Sequence, residues 1–230
     1  MGKIIIEPYL LALQENSVVI AWEVNQNSNY SLKYKKIGAK TYKTAKLQQL
    51  CIDNGNSNIL YFAQLIKLEI NNMYQYNIYE GKTIIHKNTF STAKNSEKLK
   101  ILTVGDTHSF ELHEDIQKSI EKHQPNFILH SGDISFATGD QREQYEKNWF
   151  KLISQSLQQF PVYYTPGNHD NGKYFDYYFI KPIQNYVNHA RRGNSYSINF
   201  NNTHFVFVDS NPWGLYEMNA INSDAQVDDT

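Results

Sequence analysis

Three short segments of this chain set glycine beside carboxylate, amide and imidazole side chains. They are GDTH at residues 105–108, SGDIS at 131–135 and GNHD at 167–170. Each follows a run of apolar and β-branched residues that is typical of a buried strand. Taken singly, any of the polar residues could be a helix cap or a turn residue. Three successive strand ends with the same side-chain chemistry indicate a shared site.

The side-chain types in these segments indicate a site for metal ions. The candidate ligands are Asp106, His108, Asp133 and Asn168. Carboxylate and imidazole together suit Zn, Fe or Mn better than Ca or Mg, which prefer shells made only of oxygen. One carboxylate such as Asp133 can bridge two cations that lie about 3.5–4 Å apart. Water on such a cation loses its proton at a pKa near about 7, which generates hydroxide in neutral solution.

His169 and Asp170 are the candidate catalytic residues. His169 follows a candidate ligand and could point at the substrate, and Asp170 could hold its ring. A histidine oriented in this way can act as a general acid. For His130 two interpretations stay open, a hydrogen bond that supports a metal ligand or a packed core histidine. Asp209 ends a later apolar run and could support the same edge of the sheet.

Strands and helices alternate from residue 100 onward, which predicts an α/β domain with a parallel sheet. Strands are expected at KILTVGD, NFILHSGD and PVYYTPGNHD, and SYSINF and HFVFVDSN predict two more that could form a hairpin. Apolar residues recur at helical spacing in the two intervening segments: Leu112, Ile116 and Ile120 in the first, and Trp149, Phe150, Ile153 and Leu157 in the second. Loops at the carboxyl ends of parallel strands open on one edge, so the three polar segments should meet there.

The first ninety or so residues contain short runs of β-branched and aromatic residues separated by polar breaks. SVVIAWEV, NYSLKYKKI, LYFAQLIKL and YQYNIYEG are such runs, and helical periodicity is hard to find among them. This pattern predicts an all-β sandwich over residues 1–92. A polar linker follows at 93–99, and the α/β domain occupies 100–230.

Composition excludes several classes of protein. The formal charge of -1 argues against a dedicated nucleic-acid binder, and the single cysteine, Cys51, excludes an intramolecular disulfide. No apolar run of membrane-spanning length and no basic leader followed by a hydrophobic stretch is visible, so we expect no membrane contact and a cytoplasmic location, with export left open. The lysines between residues 33 and 46 are solvated charges at strand edges or an anion-binding patch.

The ordered motifs Asp106-x-His108, Gly132-Asp133 and Gly167–Asp170 resemble the first three motifs of the calcineurin-like metallophosphoesterases. The preceding β-rich segment is similar to the fibronectin type III-like domain of purple acid phosphatases. EPYLLALQENSVVIAWE, LEINNMYQY and TFSTA carry that second likeness, at its start, middle and end. Together the two resemblances span essentially the whole chain.

The resemblance implies metal-dependent hydrolysis of a phosphate-ester substrate by hydroxide on a binuclear centre. It implies that Asp106 and His108 bind the first metal, Asp133 bridges, Asn168 binds the second metal and His169 protonates the leaving group. The alternative is a non-catalytic binding or scaffold protein with an incomplete site. The nature of the ester, the metals and the oligomeric state stay open.

Two departures from the family pattern affect these expectations. Purple enzymes have a tyrosine three residues after the bridging aspartate, and here that position is Phe136. A pair of divalent ions such as Mn, Fe(II) or Zn is therefore expected in place of a coloured ferric site. The family also completes its site with later histidines, including a Gly-His-x-His motif, whereas only His189 and His204 follow Asp170 here. We therefore expect the chain to be a fragment that binds metal weakly.

Overall fold

The computed structural model describes residues 2–52, 58–93, 98–108, 113–134, 139–179 and 195–209. The strands in these ranges are β1 (Ile4–Gln14), β2 (Ser17–Val24), β3 (Tyr30–Lys36), β4 (Lys43–Thr44), β5 (Gln48–Cys51), β6 (Ile59–Leu65), β7 (Met73–Glu80), β8 (Thr83–Ser91), β9 (Ile101–Val104), β10 (Phe127–His130), β11 (Val162–Tyr164), β12 (Tyr196–Phe200) and β13 (Thr203–Phe207). The helices are α1 (His113–His123), α2 (Arg142–Tyr145), a π-helical turn (Glu146–Phe150), α3 (Ser154–Leu157), a 3-10 turn (Asn168–Asp170) and α4 (Lys173–Tyr178).

A seven-stranded sheet in the order β5-β6-β2-β1-β11-β10-β9 runs through both halves of the chain. Strands β9, β10 and β11 are parallel, as the alternation of strands and helices predicted. Leu11 of β1 pairs in parallel with Val162 of β11, so an N-terminal strand continues the sheet of the α/β part. Strands β4-β3-β7-β8 form a second sheet, and β12 and β13 form the expected hairpin.

Strand β2 shows how the layers pack, because its residues alternate between two hydrophobic cores. Val18, Ile20 and Trp22 face a core shared with the four-stranded sheet and the β12–β13 hairpin. Val19 and Ala21 face a second core shared with the helices. The seven-stranded sheet is therefore the middle layer, which explains why SVVIAWEV is apolar on both faces.

The N-terminal part is largely β, as predicted, and its likeness to a fibronectin type III sandwich stays a prediction. The boundaries at 1–92, 93–99 and 100–230 also stay predictions, since residues 94–97 lie outside the described ranges. Within the described residues, no helix combines the length and apolar character needed to cross a membrane.

The second segment with apolar residues at helical spacing, at residues 141–160, is interrupted, which corrects the prediction of a regular helix there. Its residues instead form α2, the π-helical turn and α3, and the Lys151 N–H donates to the Glu146 carbonyl. Asn148, Trp149 and Phe150 are all buried in succession, although a regular amphipathic helix buries one stripe. The wider turn sets neighbouring side chains in the core together, a consequence of tertiary packing that 3.6-residue periodicity does not show.

Candidate active site

The candidate residues follow three strands whose ends are level with one another. Val104 of β9 pairs with His130 of β10, and His130 pairs with Tyr164 of β11. Each strand then leads directly into a polar segment, here termed the first loop (105–108), the second loop (131–134) and the third loop (165–170). Because the register aligns these ends, the three loops begin side by side, as the sequence predicted.

The first loop brings two predicted metal ligands into contact. Nε2 of His108 lies 2.7 Å from Oδ1 of Asp106, and the two side chains are 23% and 76% exposed. The backbone of this loop is tied to the second, because the Asp106 N–H donates to the Gly132 carbonyl at 2.9 Å and the Thr107 N–H donates to the Asp133 carbonyl at 3.0 Å. Asp106 has a φ of 54°, a costly conformation that these bonds maintain.

Glycines let the second and third loops approach closely. A Cβ on Gly132 would collide with the backbone of Pro166 and Gly167, and one on Gly167 would collide with the carboxylate and backbone nitrogen of Asp133. Gly132 also has a φ of 102°, which L-residues with a side chain rarely adopt. The glycines in SGD and GNHD therefore bring Asp133 against the third loop.

Asp170 is buried, with 1% of its surface exposed, and its carboxylate accepts from both loops. Its Oδ2 accepts from the N–H groups of Asp133 at 2.7 Å and Gly167 at 3.1 Å. The Ile134 N–H donates to Oδ1 at 3.2 Å, and the Tyr145 hydroxyl donates to the same oxygen at 3.2 Å. Burial, and then the negative charge of Asp170, raise the pKa of Tyr145, which therefore stays a neutral donor.

The sequence predicted that Asp170 orients the His169 ring, and that role stays a prediction. Its bonds to backbone amides are a further role that the sequence did not reveal. The available signal was its position at the end of the short turn that begins at Asn168, where an acidic side chain can cap free N–H groups.

His169 connects the third loop to the other two. The backbone N–H of His169 donates to Oδ1 of Asp133 at 2.9 Å, and the centroid of its ring lies 5.2 Å from the centroid of the His108 ring. Asp106, His108, Asp133 and His169 thus form one cluster, while Asn168 is exposed directly before His169 in the chain.

The structure places His130 in the core, the second of the two interpretations left open by the sequence, and its ring bonds to Gly132 and Thr107, which are not candidate ligands. It is buried against Trp149, with ring centroids 4.7 Å apart, so it is a packed core residue. Its Nδ1 accepts from the Gly132 N–H at 3.1 Å, so Nε2 carries the proton of the neutral ring and donates to Oγ1 of Thr107 at 2.7 Å. The His130 ring therefore supports the first and second loops through these two hydrogen bonds. Sequence reasoning missed Thr107, whose position between two candidate ligands was the available signal.

Of the remaining candidates, two bond to residues of the hairpin region and the others lie outside the described residues. The Asp209 N–H donates to Oγ of Ser195, and Nδ1 of His204 lies 2.7 Å from Oδ1 of Asn199 within the hairpin. Phe136, Leu112, His189 and the residues beyond 209 lie outside the described residues.

The donor types in the cluster fit divalent metal ions, since imidazole and carboxylate converge at the first loop and an amide follows in the third. In the described part of the chain, no group of three or more His, Cys, Asp or Glu side chains is arranged to hold one ion. The cluster thus has the chemistry of a metal site without a closed shell of protein ligands.

A comparison with protein-family models matches residues 99–227, more than half of the chain, to the calcineurin-like phosphoesterase model. No curated protein matches the chain. The matched residues include all three loops and the cluster they form. The chain therefore belongs to the calcineurin-like phosphoesterase family.

Proposed function

We propose that this protein hydrolyses phosphate esters with water activated at a pair of divalent metal ions. Family membership supports metal-dependent phosphoester hydrolysis in general. The observation that carries the more specific proposal is the convergence of Asp106, His108, Asp133 and His169 from three aligned strand ends. Mn, Fe(II) or Zn suits these donors best.

Each side chain has a role that follows from its chemistry and place. Asp106 and His108 would hold the first ion, Asp133 would contribute to both, and Asn168 would supply a neutral oxygen to the second. When bound, the ions supply an acidified water and neutralise charge on the phosphoryl oxygens. A neutral amide ligand leaves more positive charge at the second ion than a carboxylate would.

His169 is the proposed general acid. Its backbone N–H donates to Oδ1 of Asp133 at 2.9 Å, so its main chain is fixed next to the carboxylate that would contribute to both ions. As water adds to phosphorus and the ester P–O bond breaks, the imidazolium gives its proton to the leaving oxygen. The phosphoryl group gains a hydroxyl, the second proton of the water passes to solvent, and the alcohol departs neutral.

Hydrolysis of a generic aryl phosphate by the chain with added Mn²⁺ or Zn²⁺ tests this function. Asp133→Asn should lower the rate by about 100-fold or more, because it removes the charge that would contribute to both ions. The matched control is Asp140→Asn, an exposed aspartate that accepts one N–H bond from Lys173 and should retain the wild-type rate. A wild-type rate in Asp133→Asn would rule out the proposed centre.

A second candidate is a non-catalytic binding or scaffold protein. It is favoured by the lack, among the described residues, of a group of three ligands for one ion. Two measurements separate the candidates. A scaffold predicts no hydrolysis with any divalent metal. It also predicts that Asp133→Asn leaves the affinity for Mn²⁺, measured by titration, unchanged.

We further propose that residues 1–92 form a fibronectin type III-like sandwich of the kind that purple acid phosphatases carry. Support comes from the core shared by β2 and the second sheet, in which Trp22 stacks on Tyr61 and Tyr74 stacks on Phe90. Facing antiparallel sheets with alternating inward residues are the general features of such sandwiches.

A further inference from the structure

A buried ion pair joins the N-terminal strands to the helices. Glu23 of β2 is 0% exposed and Arg142 of α2 is 4% exposed. Nε and Nη2 of Arg142 lie 2.8 and 2.7 Å from Oε1 of Glu23. The Tyr178 hydroxyl donates to Oε2 at 2.6 Å, and the Asn58 amide donates to Oε1. Burying two charges is costly even when they pair, so such a pair is weak evidence of a purely stabilising role.

The other end of the same helix contacts the candidate site. Tyr145 lies three residues after Arg142, and its hydroxyl donates to Oδ1 of Asp170 at 3.2 Å. The rings of Tyr145 and Tyr178 also touch, with centroids 6.0 Å apart, and Tyr178 bonds directly to Glu23. Two routes, one along α2 and one through the Tyr178 ring, therefore link Glu23 to Asp170.

Every residue in this series of contacts from Glu23 to Asp170 is buried, which limits the ways the side chains can rearrange. Tyr145 and Tyr178 are 0% exposed and Asp170 is 1% exposed. Packed interiors transmit displacements because their side chains have few alternative positions. Asp170 in turn holds the N–H groups of Asp133, Ile134 and Gly167.

We propose that Glu23 is a distal positioning residue for the site, acting through Arg142, Tyr145 and Asp170 on the second and third loops. The N-terminal β region then contributes to the scaffold of the site and is not an independent module. This role depends on the proposed function only because the second and third loops carry the residues of the candidate site. Its test measures the loops themselves, so it can fail while the hydrolytic function holds, and the reverse.

Hydrogen exchange of the Asp133 and Ile134 amides, both bonded to Asp170, reports the coupling without metal or substrate. The reference is the Ile128 amide, which lies in the same sheet and donates to the Pro161 carbonyl at 2.9 Å. Glu23→Gln and Tyr145→Phe should each speed exchange at the loop amides about tenfold relative to Ile128. The double variant should fall well short of the product of the two effects, because both act through Asp170.

Glu69→Gln is the matched control, since Glu69 makes an exposed ion pair with Lys36 at 2.6 Å. It should leave the ratio of loop to reference exchange unchanged. If Glu23→Gln does not fold, Tyr178→Phe keeps the ion pair, removes one bond to Glu23 and should change the ratio in the same direction. Equal acceleration of all amides, no change at Asp133 and Ile134, or multiplicative effects in the double variant would each overturn the proposal.

Discussion

Replacing Asp170 by asparagine tests the central geometric claim, that one buried carboxylate holds two loops together. Asparagine has nearly the same shape, but an NH₂ group takes the place of one carboxylate oxygen. If the amide oxygen occupies the Oδ2 position, it still accepts from Asp133 and Gly167. The NH₂ then faces the Tyr145 hydroxyl, which can rotate to accept, and the Ile134 N–H, which keeps only its longer bond of 3.3 Å to the Oδ2 position.

The magnitude follows from the number of donors affected. A hydrogen bond to a charged group contributes about 1.5–3 kcal/mol and one to a neutral group about 0.5–1.5 kcal/mol. Three N–H groups would each lose about 1 kcal/mol, so Asp170→Asn should lower the free energy of unfolding by about 2–4 kcal/mol. The Asp133 backbone would be held less firmly by the neutral acceptor, and metal affinity or activity should fall about 10–100-fold, as for other groups that orient metal ligands.

Urea denaturation at pH 7 measures the first effect, and Mn²⁺ titration measures the second. Asp140→Asn is the control, because the same chemical change there weakens one exposed bond and should cost less than about 1 kcal/mol. If both variants have the same denaturation midpoint and both bind Mn²⁺ as wild type does, Asp170 does not hold the loops and the argument fails.

Two further predictions concern a glycine and a carboxylate. Gly132→Ala should lower the free energy of unfolding by more than about 2 kcal/mol, because the new Cβ would meet the backbone of the third loop. The control is Gly38→Ala, which has a φ of 87° and open space around it and should cost only about 1 kcal/mol. Equal losses for the two variants in a denaturation series would contradict this prediction. Burial alone would raise the pKa of Glu146, but hydrogen bonds from Lys151 and Arg142 lower this pKa below the ordinary 4.5. The contribution of Glu146 to stability is therefore complete above about pH 4.5 and is lost as the pH falls through the lowered pKa. Stability measured against pH should therefore be flatter below pH 4.5 in Glu146→Gln, and an unchanged acid slope would refute the assignment.

The meeting of the three loops was largely predictable because it depends on local sequence. Each of Asp106, Asp133 and Asn168 follows an apolar strand, and parallel strands place their carboxyl ends at one edge. Strand order is therefore sufficient to predict which loops meet. The first helix is similar, because Ile116 and Ile120 recur at helical spacing and are both buried.

The pairing between the two halves of the chain was not predictable in this way. Leu11 pairs with Val162, and the Tyr163 hydroxyl donates to the Leu13 carbonyl across 150 positions of sequence. A strand buried on both faces carries no local mark of its neighbour, so its partner depends on how the layers pack. The same packing interrupts the helix around Trp149.

The sequence by itself determined which residues have the chemistry of the site and which strands end in them, because both depend on residue type and short-range periodicity. Only the tertiary structure decided which buried groups support those residues. Asp170 bonds to an amide 37 positions away, His130 to a hydroxyl 23 positions away and Arg142 to a carboxylate 119 positions away. Such partners are selected by the free energy of satisfying polar groups inside a packed core, which local spacing does not encode.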